Sequence, residues 1–406
     1  MDEHDNGRRL PLAGIRVVEL ASFFAGPLCG CLLADFGAEV IKAELPGIGD
    51  PWRRSGPSYG NTSMSFLKEN RNKRCITLNL STRRGQELVR RLATKSDVVI
   101  ENLRPGRLER WGIGYQDLQA LNAGLIMVRI SGFGQEGVYK DRPAFGTILE
   151  AMSGFTHSNG DADGTPRQLP LALGDLVTGT LAAYGVLLAL RHRDLTGEGQ
   201  EIDSAICDAM FRWAGPETLH YGLTKETPRN QGGALYNPRT PTTGFFQAQD
   251  GAWLFMRCHH SDEAVSRLYR AIGRAELADD PRYRSATARQ ANAATVRGTL
   301  EAWVKSLPQD EALSRLQAEG VAAGPVYAPA DIFADPHFQV RSVFPEILHP
   351  TLGRVPTPAV APRLSLTPGD VDHLGAELGE HNQEVYGGLL DLTPGELESL
   401  KAEGVI

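Results

Sequence analysis

The chain is poor in cysteine, carries no excess of positive charge and shows no long unbroken apolar run. Five cysteines in 406 residues, an odd number scattered over a long chain, exclude a disulfide framework. Cys29 and Cys31 fall in a helix-like run and read as buried thiols, while His259 and His260 lack the spaced partners of a zinc site. A net charge of −7 excludes nucleic acid as the main partner and leaves local basic clusters to hold a small anion. With no apolar run of about 18 residues, a membrane span is not expected. The opening MDEHDNGRRLPL is polar and acidic, unlike a signal peptide. No internal repeat is evident. These exclusions leave an ordinary globular chain, long enough for two domains, and predict a cytoplasmic protein.

What is present alternates. Short apolar strands are predicted at 14–20, 38–43, 75–80, 97–100 and 124–130, separated by helical segments from Ala25, over 82–95 and after Glu101, and TGEGQEIDSAICDAMF (196–211) gives a further strand and helix. That rhythm implies an α/β fold with a mostly parallel sheet covered on both faces. After the strand ending at Ile130 the sequence reads GFGQEG, a formal G-x-G-x-x-G from Gly132 to Gly137. A dinucleotide fingerprint has to open a helix that receives the pyrophosphate. Here VYKDRP follows, so no nicotinamide or flavin site is expected.

From Gly244 the pattern changes to a hairpin with its turn at Asp250-Gly251, then Arg-, Ala- and Glu-rich helices to about Gly320. The predicted organisation is the N-terminal part of a large domain at 1–223, a small α+β domain at 244–322, and a segment 323–406 that returns to complete the large domain. The last residues, PGELESLKAEGVI, read as an amphipathic helix.

The stretch 171–193, LALGDLVTGTLAAYGVLLALRHR, reads as a long buried helix. Val177, Leu181, Tyr184 and Leu188 share one face, and Gly179, Ala182, Ala183 and Gly185 permit close approach of another element. Asp175 is placed at its N-cap, where a carboxylate accepts free N–H groups. Taken alone, an acid there is a cap and nothing more.

Four separated segments change that reading: LADFGAEVIKAE (33–44), NRNKRCITLNL (70–80), ENLRPGRLERWGIGY (101–115) and LGDLVTGTLAAYG (173–185). Together they resemble the family III CoA-transferases, and RHRDLTGEGQEIDSAI, GVAAGPV and LGEHNQEV extend the resemblance over nearly the whole chain. The resemblance implies a Rossmann-like large domain built from both chain ends, a smaller domain from the middle, and two ring-shaped subunits interlocked as a homodimer. It makes Asp175 the nucleophile that carries aspartyl anhydride and aspartyl-CoA thioester intermediates, with the helix N-terminus keeping it ionised. The substrates implied are an acyl-CoA and a carboxylic acid, with coenzyme A as the exchanged group and no metal or tightly bound cofactor.

By the same resemblance Leu78, Asn102 and Leu103 line the nucleotide pocket, and Arg110 and Trp111 lie along the phosphates and pantetheine. Arg74 and Arg104 are further candidates, although a lone arginine there also reads as a solvated surface charge. Three departures bear on the acid. Phe24 stands before Ala25-Gly26-Pro27 where oxalate-using members have Gln; the glycine run of those members is replaced by ALYNPRTPTTG; and Gly146 stands where relatives usually have an acid. Phe24 and Ala25 are therefore expected at the acyl group, Arg239 at a second carboxylate, and the acid is expected to be larger or more apolar than oxalate. An α-methylacyl-CoA racemase would share the fold, but Phe145 and Gly146 stand where its His-Asp pair belongs, and a racemase needs that base. A CoA-binding protein without turnover is the remaining alternative.

Overall fold

The computed structural model describes residues 10–161, 163–213, 215–227, 240–258 and 261–406. It divides into two compact units, one of residues 1–157, 166–227 and 342–406, the other of 158–165 and 228–341. Residues 323–341 thus group with the middle of the chain, where the sequence reading joined them to the closing segment.

The large unit is organised by six parallel strands: β1 (Arg16–Glu19), β2 (Glu39–Glu44), β3 (Lys73–Thr77), β4 (Val98–Glu101), β5 (Ile126–Ser131) and β6 (Glu201–Ala205). Their order across the sheet is β3-β2-β1-β4-β5-β6. The chain runs outward from β1 through β2 to β3, then returns to the other side of β1 to lay down β4, β5 and β6. The order therefore reverses between β1 and β4, and in such sheets ligands bind outside the carboxyl ends of the strands at that reversal.

Alternation along the strands sends residues to two cores. Val18, Ile41, Ile76, Val99 and Met127 face one side, with Leu88 and Leu92 of helix α2 (Arg83–Ala93) and with Tyr386, Leu397, Leu400 and Ile406 from the chain's end. Val17, Val40, Val98, Ile126 and Val128 face the other, against helix α1 (Ala25–Ala34) and the long helix α5 (Leu173–Thr196). The closing segment also covers the outer edge of β3 with side chains. Asn382 Oδ1 accepts the Thr77 N–H at 2.8 Å, and the Cys75 N–H reaches His381 Nδ1 at 3.2 Å. An exposed strand edge is in this way satisfied without another strand. The predicted closing helix is Pro394–Ala402, begun by a Thr393/Glu396 capping box.

Helix α5 spans Leu173–Thr196, and the face it buries differs from the one expected. Thr178, Gly179, Ala182, Ala183, Val186 and Ala189 are buried, whereas Tyr184, Leu187, Leu188 and Leu195 are exposed. Small residues win the inward face because α1 comes so close: a methyl group on Gly179 would fall 2.6 Å from the Ala25 carbonyl oxygen. Contrary to the sequence reading, this helix is long and apolar enough, by length and composition, to cross a membrane. Its glycines, alanines and threonines break up the apolar run without making it polar, and the buried face packs on the sheet.

The second unit has a three-stranded antiparallel sheet, Thr243–Gln247, Trp253–Arg257 and Ala322–Pro325, with the middle strand central. The predicted hairpin is present, with Gly251 at φ 84° in its turn. Helices Asp262–Ala271, Ala293–Lys305 and Gln309–Ala318 supply Leu268, Leu300 and Leu316 to its core.

Candidate active site

Two loops flank the reversal point. The turn from β1 into α1 carries Ser22, Phe23 and Phe24; the loop after β4 carries Asn102, Leu103 and Arg104. Asn102 ties them together, its amide donating to the Ser22 carbonyl at 2.7 Å and its Oδ1 accepting the Ser22 N–H at 3.0 Å. Phe23 takes a left-handed conformation, φ 66°, which a bulky residue adopts only when its surroundings over-determine it. Here Asp50 Oδ1 accepts the N–H groups of Phe23 (3.1 Å) and Trp52 (2.9 Å).

Asp50 is in turn part of a buried ionic cluster beneath this turn. Lys42 Nζ lies 2.8 Å from Asp50 and 2.9 Å from Glu19, Lys73 Nζ lies 2.9 Å from the other Glu19 oxygen, and Arg53 makes a paired contact with Glu44. Burial pulls the Lys42 ammonium down, but Glu19, Asp50 and Glu44 outweigh it and hold it above its ordinary value. The cluster also fixes α1, since Lys73 donates to the Pro27 carbonyl at 2.6 Å.

Asp175 is the third residue of α5, not its N-cap; the cap is Ala172 and contributes no side-chain hydrogen bond. Helix α4 (Gly146–Met152) packs on this first turn. Gly146 gives the acid its space, because a methyl group there would lie 2.0 Å from Asp175 Oδ2. One turn along α4, the buried carboxylate of Glu150 accepts the Gly174 N–H at 2.9 Å. Burial first, and the Glu150 charge second, push Asp175 up to about 6, opposed only by a hydrogen bond to its own backbone N–H. One donor of the helix start, the Gly174 N–H, is thus taken by Glu150 rather than by Asp175.

The other predicted residues separate into groups. Ala25, buried, begins α1 against Gly179. Phe24 caps α1 and rests edge-on against Trp52, with ring centroids 5.7 Å apart. Its neighbour Phe23 instead meets Phe145, at 6.2 Å, immediately before the glycine that faces Asp175. Leu103 is half-buried and donates its N–H to Glu101, and Trp111, which caps helix α3 (Arg107–Arg110), is half-buried on the core with the Arg107 guanidinium 5.5 Å from its ring. Arg104 and Arg110 are exposed and make no ion pair among the described residues. Leu78 is packed into the core, so its side chain presents nothing at the surface, and Arg74 gives its charge to Glu39 at 2.8 Å. Arg239 lies outside the described residues, as do His259 and His260 and most of the ALYNPRTPTTG loop.

The sequence reading missed Glu150, Phe23 and Arg107. Glu150 left a signal, as the one charged residue in PAFGTILEAMSG (143–154). GFGQEG runs into bends and turns rather than a helix, the next one starting at Gly146, so the pyrophosphate-receiving geometry is missing there.

The sequence model of CoA-transferase family III matches residues 12–382. The chain belongs to that family. It is similar to the succinyl-CoA–D-citramalate CoA-transferase of Chloroflexus aurantiacus, 41% identical over 98% of each chain. The beta subunit of the succinyl-CoA–L-malate CoA-transferase of the same organism is 40% identical, again over 98% of each chain. Among solved structures, a CaiB/BaiF family protein from Brucella suis superposes with a TM-score of 0.84 at 35% identity, covering 94% of this chain and all of that one. This family III enzyme is a CoA-transferase, and its substrates are an acyl-CoA and a carboxylic acid.

Proposed function

We propose that this transferase moves CoA from succinyl-CoA to a dicarboxylic acid of four or five carbons, with Asp175 as the covalent carrier. The observation that carries the reading is Asp175 itself, partly buried in the first turn of α5, with Gly146 leaving room beside its carboxylate. In the first step an Asp175 oxygen bonds to the thioester carbonyl carbon, the C–S bond breaks, and CoA leaves as thiolate. The thiolate then attacks the aspartyl carbonyl of the mixed anhydride and expels the donor carboxylate, leaving an aspartyl-CoA thioester. The acceptor carboxylate displaces CoA from that thioester, and the thiolate attacks the acceptor's carbonyl to release the new acyl-CoA and restore Asp175. One difficult exchange becomes a series of thioester–anhydride swaps. Arg104 and Arg110, exposed beside the β4 loop, are the cations offered to the phosphates of CoA.

The acid class follows from the rings next to Gly146, the residue that faces Asp175, and from the relatives. Phe23 and Phe145 offer rings and no hydrogen bonds near Asp175, which disfavours a carboxylate as compact as oxalate. Relatives that use citramalate and malate with succinyl-CoA support a longer diacid. We further propose that two copies of the chain interlock as a homodimer in the cytoplasm. Tyr184, Leu188 and Leu195 on the outer face of α5, with Phe211 and Trp213 of helix α6 (Ile206–Trp213), are apolar surface for the second copy to cover.

The test is mass spectrometry of the protein incubated with succinyl-CoA and hydroxylamine. A hydroxamate on Asp175 is expected; full turnover with Asp175 unmodified overturns the assignment. A panel of acceptors against succinyl-CoA tests the acid class, and oxalate as the best acceptor overturns that part.

A further inference from the structure

The free N–H groups at the start of α5 can be accounted for one by one. Leu173 donates to the Leu171 carbonyl at 3.0 Å, Leu176 to Ala172 at 3.0 Å, and Asp175 to its own carboxylate. Gly174 donates to Glu150, which comes from a different helix and is 1% exposed. A buried carboxylate is costly to hold, and a neutral amide would accept the same N–H. The charge therefore asks for a reason beyond packing.

We propose that Glu150 is a positioning residue of the transfer reaction, which withdraws the helix-end donor from Asp175 and sets a negative charge beside it, keeping that carboxylate basic for attack on the thioester carbon. The inference rests on the reading of Asp175 as nucleophile. Among the described residues, no cation offsets this effect. Helix α1 brings no charged residue in its first turn, and α4 brings Glu150 alone. Helix α6 opens with Cys207 and Asp208, which hydrogen-bond to each other at 3.4 Å, and carries Arg212 only in its last turn. Of all these groups, Glu150 is the one whose charge acts on Asp175. A carboxylate that holds its proton more tightly also donates its electron pair more readily to an acyl carbon. The same turn that carries the nucleophile is thus prevented from quenching it.

Glu150→Gln is the direct test, because the amide oxygen keeps the Gly174 hydrogen bond and loses only the charge. The acid limb of kcat/KM for succinyl-CoA is expected to move down by about one pH unit. An unmoved limb, with or without a lower Tm, makes Glu150 a packing residue and overturns the proposal. A second measurement does not depend on how the variant folds. Carbodiimide–amine labelling of the wild-type protein across pH, read by peptide mass spectrometry, reports the proton on Asp175 itself. Half-labelling near pH 6 is expected, and half-labelling near pH 4, the ordinary carboxylate range, overturns the proposal. Absence of an Asp175 hydroxamate in the wild type at every pH is a different failure, which removes the nucleophile reading and this one with it.

Discussion

Beneath the β1–α1 turn, Glu19, Glu44 and Asp50 are buried among Lys42, Lys73 and Arg53, three carboxylates matched by three cations. At the first turn of α5, Glu150 is buried and Asp175 partly so, and neither makes an ion pair with a described residue. The two turns belong to the same unit and adjoin through α1 and α5. Matching charge fixes geometry: the first cluster holds Phe23 in its left-handed turn and anchors α1 through Pro27. Like charge does the opposite of pairing: with burial, it raises Asp175 to about 6, and on the proposed mechanism this is the carboxylate that reacts.

The largest expected effect breaks the second turn. On the proposed mechanism Asp175→Asn removes the carrier oxygen, and kcat should fall by roughly 10⁴-fold or more in a succinyl-CoA exchange assay. Its stability should move the other way. Asp175 has a folded value of about 6, raised above the ordinary 3.8, so its favourable state is the protonated one below pH 3.8, and that advantage is lost as pH rises through 6. The variant is therefore expected to gain on the wild type in denaturant titrations at pH 8 and to lose that gain at pH 4.

Breaking the first turn should damage the fold instead. Lys42→Met leaves Glu19 and Asp50 buried without their shared cation, at a cost of about 3–5 kcal/mol in urea unfolding. A loss below about 1 kcal/mol would show the cluster to be less coupled than its distances imply.

The pH profile sharpens the contrast. Since only an ionised Asp175 can attack in the proposed mechanism, kcat/KM should fall with an apparent value of about 6, roughly tenfold for each pH unit below it. The smallest effect concerns recognition. Arg110→Ala should weaken CoA by about tenfold and leave a short acyl-pantetheine nearly unchanged, since the guanidinium acts on phosphate. Equal losses for both would move Arg110 away from the phosphates.

Legibility in the sequence follows from how local each determinant is. The six strands and their alternation with helices could be read because buried parallel strands are short apolar runs bounded by turns. β1, observed at Arg16–Glu19, lies inside the predicted 14–20. The Asp175 helix was legible as a helix but not in its start or its buried face. Ala172 rather than Asp175 is the cap because the first-turn donors are met by Leu171, by Ala172 and by a side chain more than twenty residues away. Nothing near Asp175 in sequence announces that partner. The sequence reading named Phe24 alone; the positive φ at Phe23, whose N–H is held by Asp50 from a later loop, turns Phe23 rather than Phe24 toward Phe145. That Leu78 lies in the core and that Arg74 pairs with Glu39 are placements the motif alone does not give.

The contact of Gly179 with the Ala25 carbonyl bears on how such an enzyme can change its diet. A side chain at position 179 would press on the Ala25 carbonyl and wedge the two helices apart, so descendants of this gene are expected to keep that position small. Phe23 and Phe145 carry no such restriction, since both are exposed and neither supports the sheet. Natural variation in the acid accepted should therefore gather at those rings, and swapping them between relatives should exchange preferences while the covalent machinery stays unaltered.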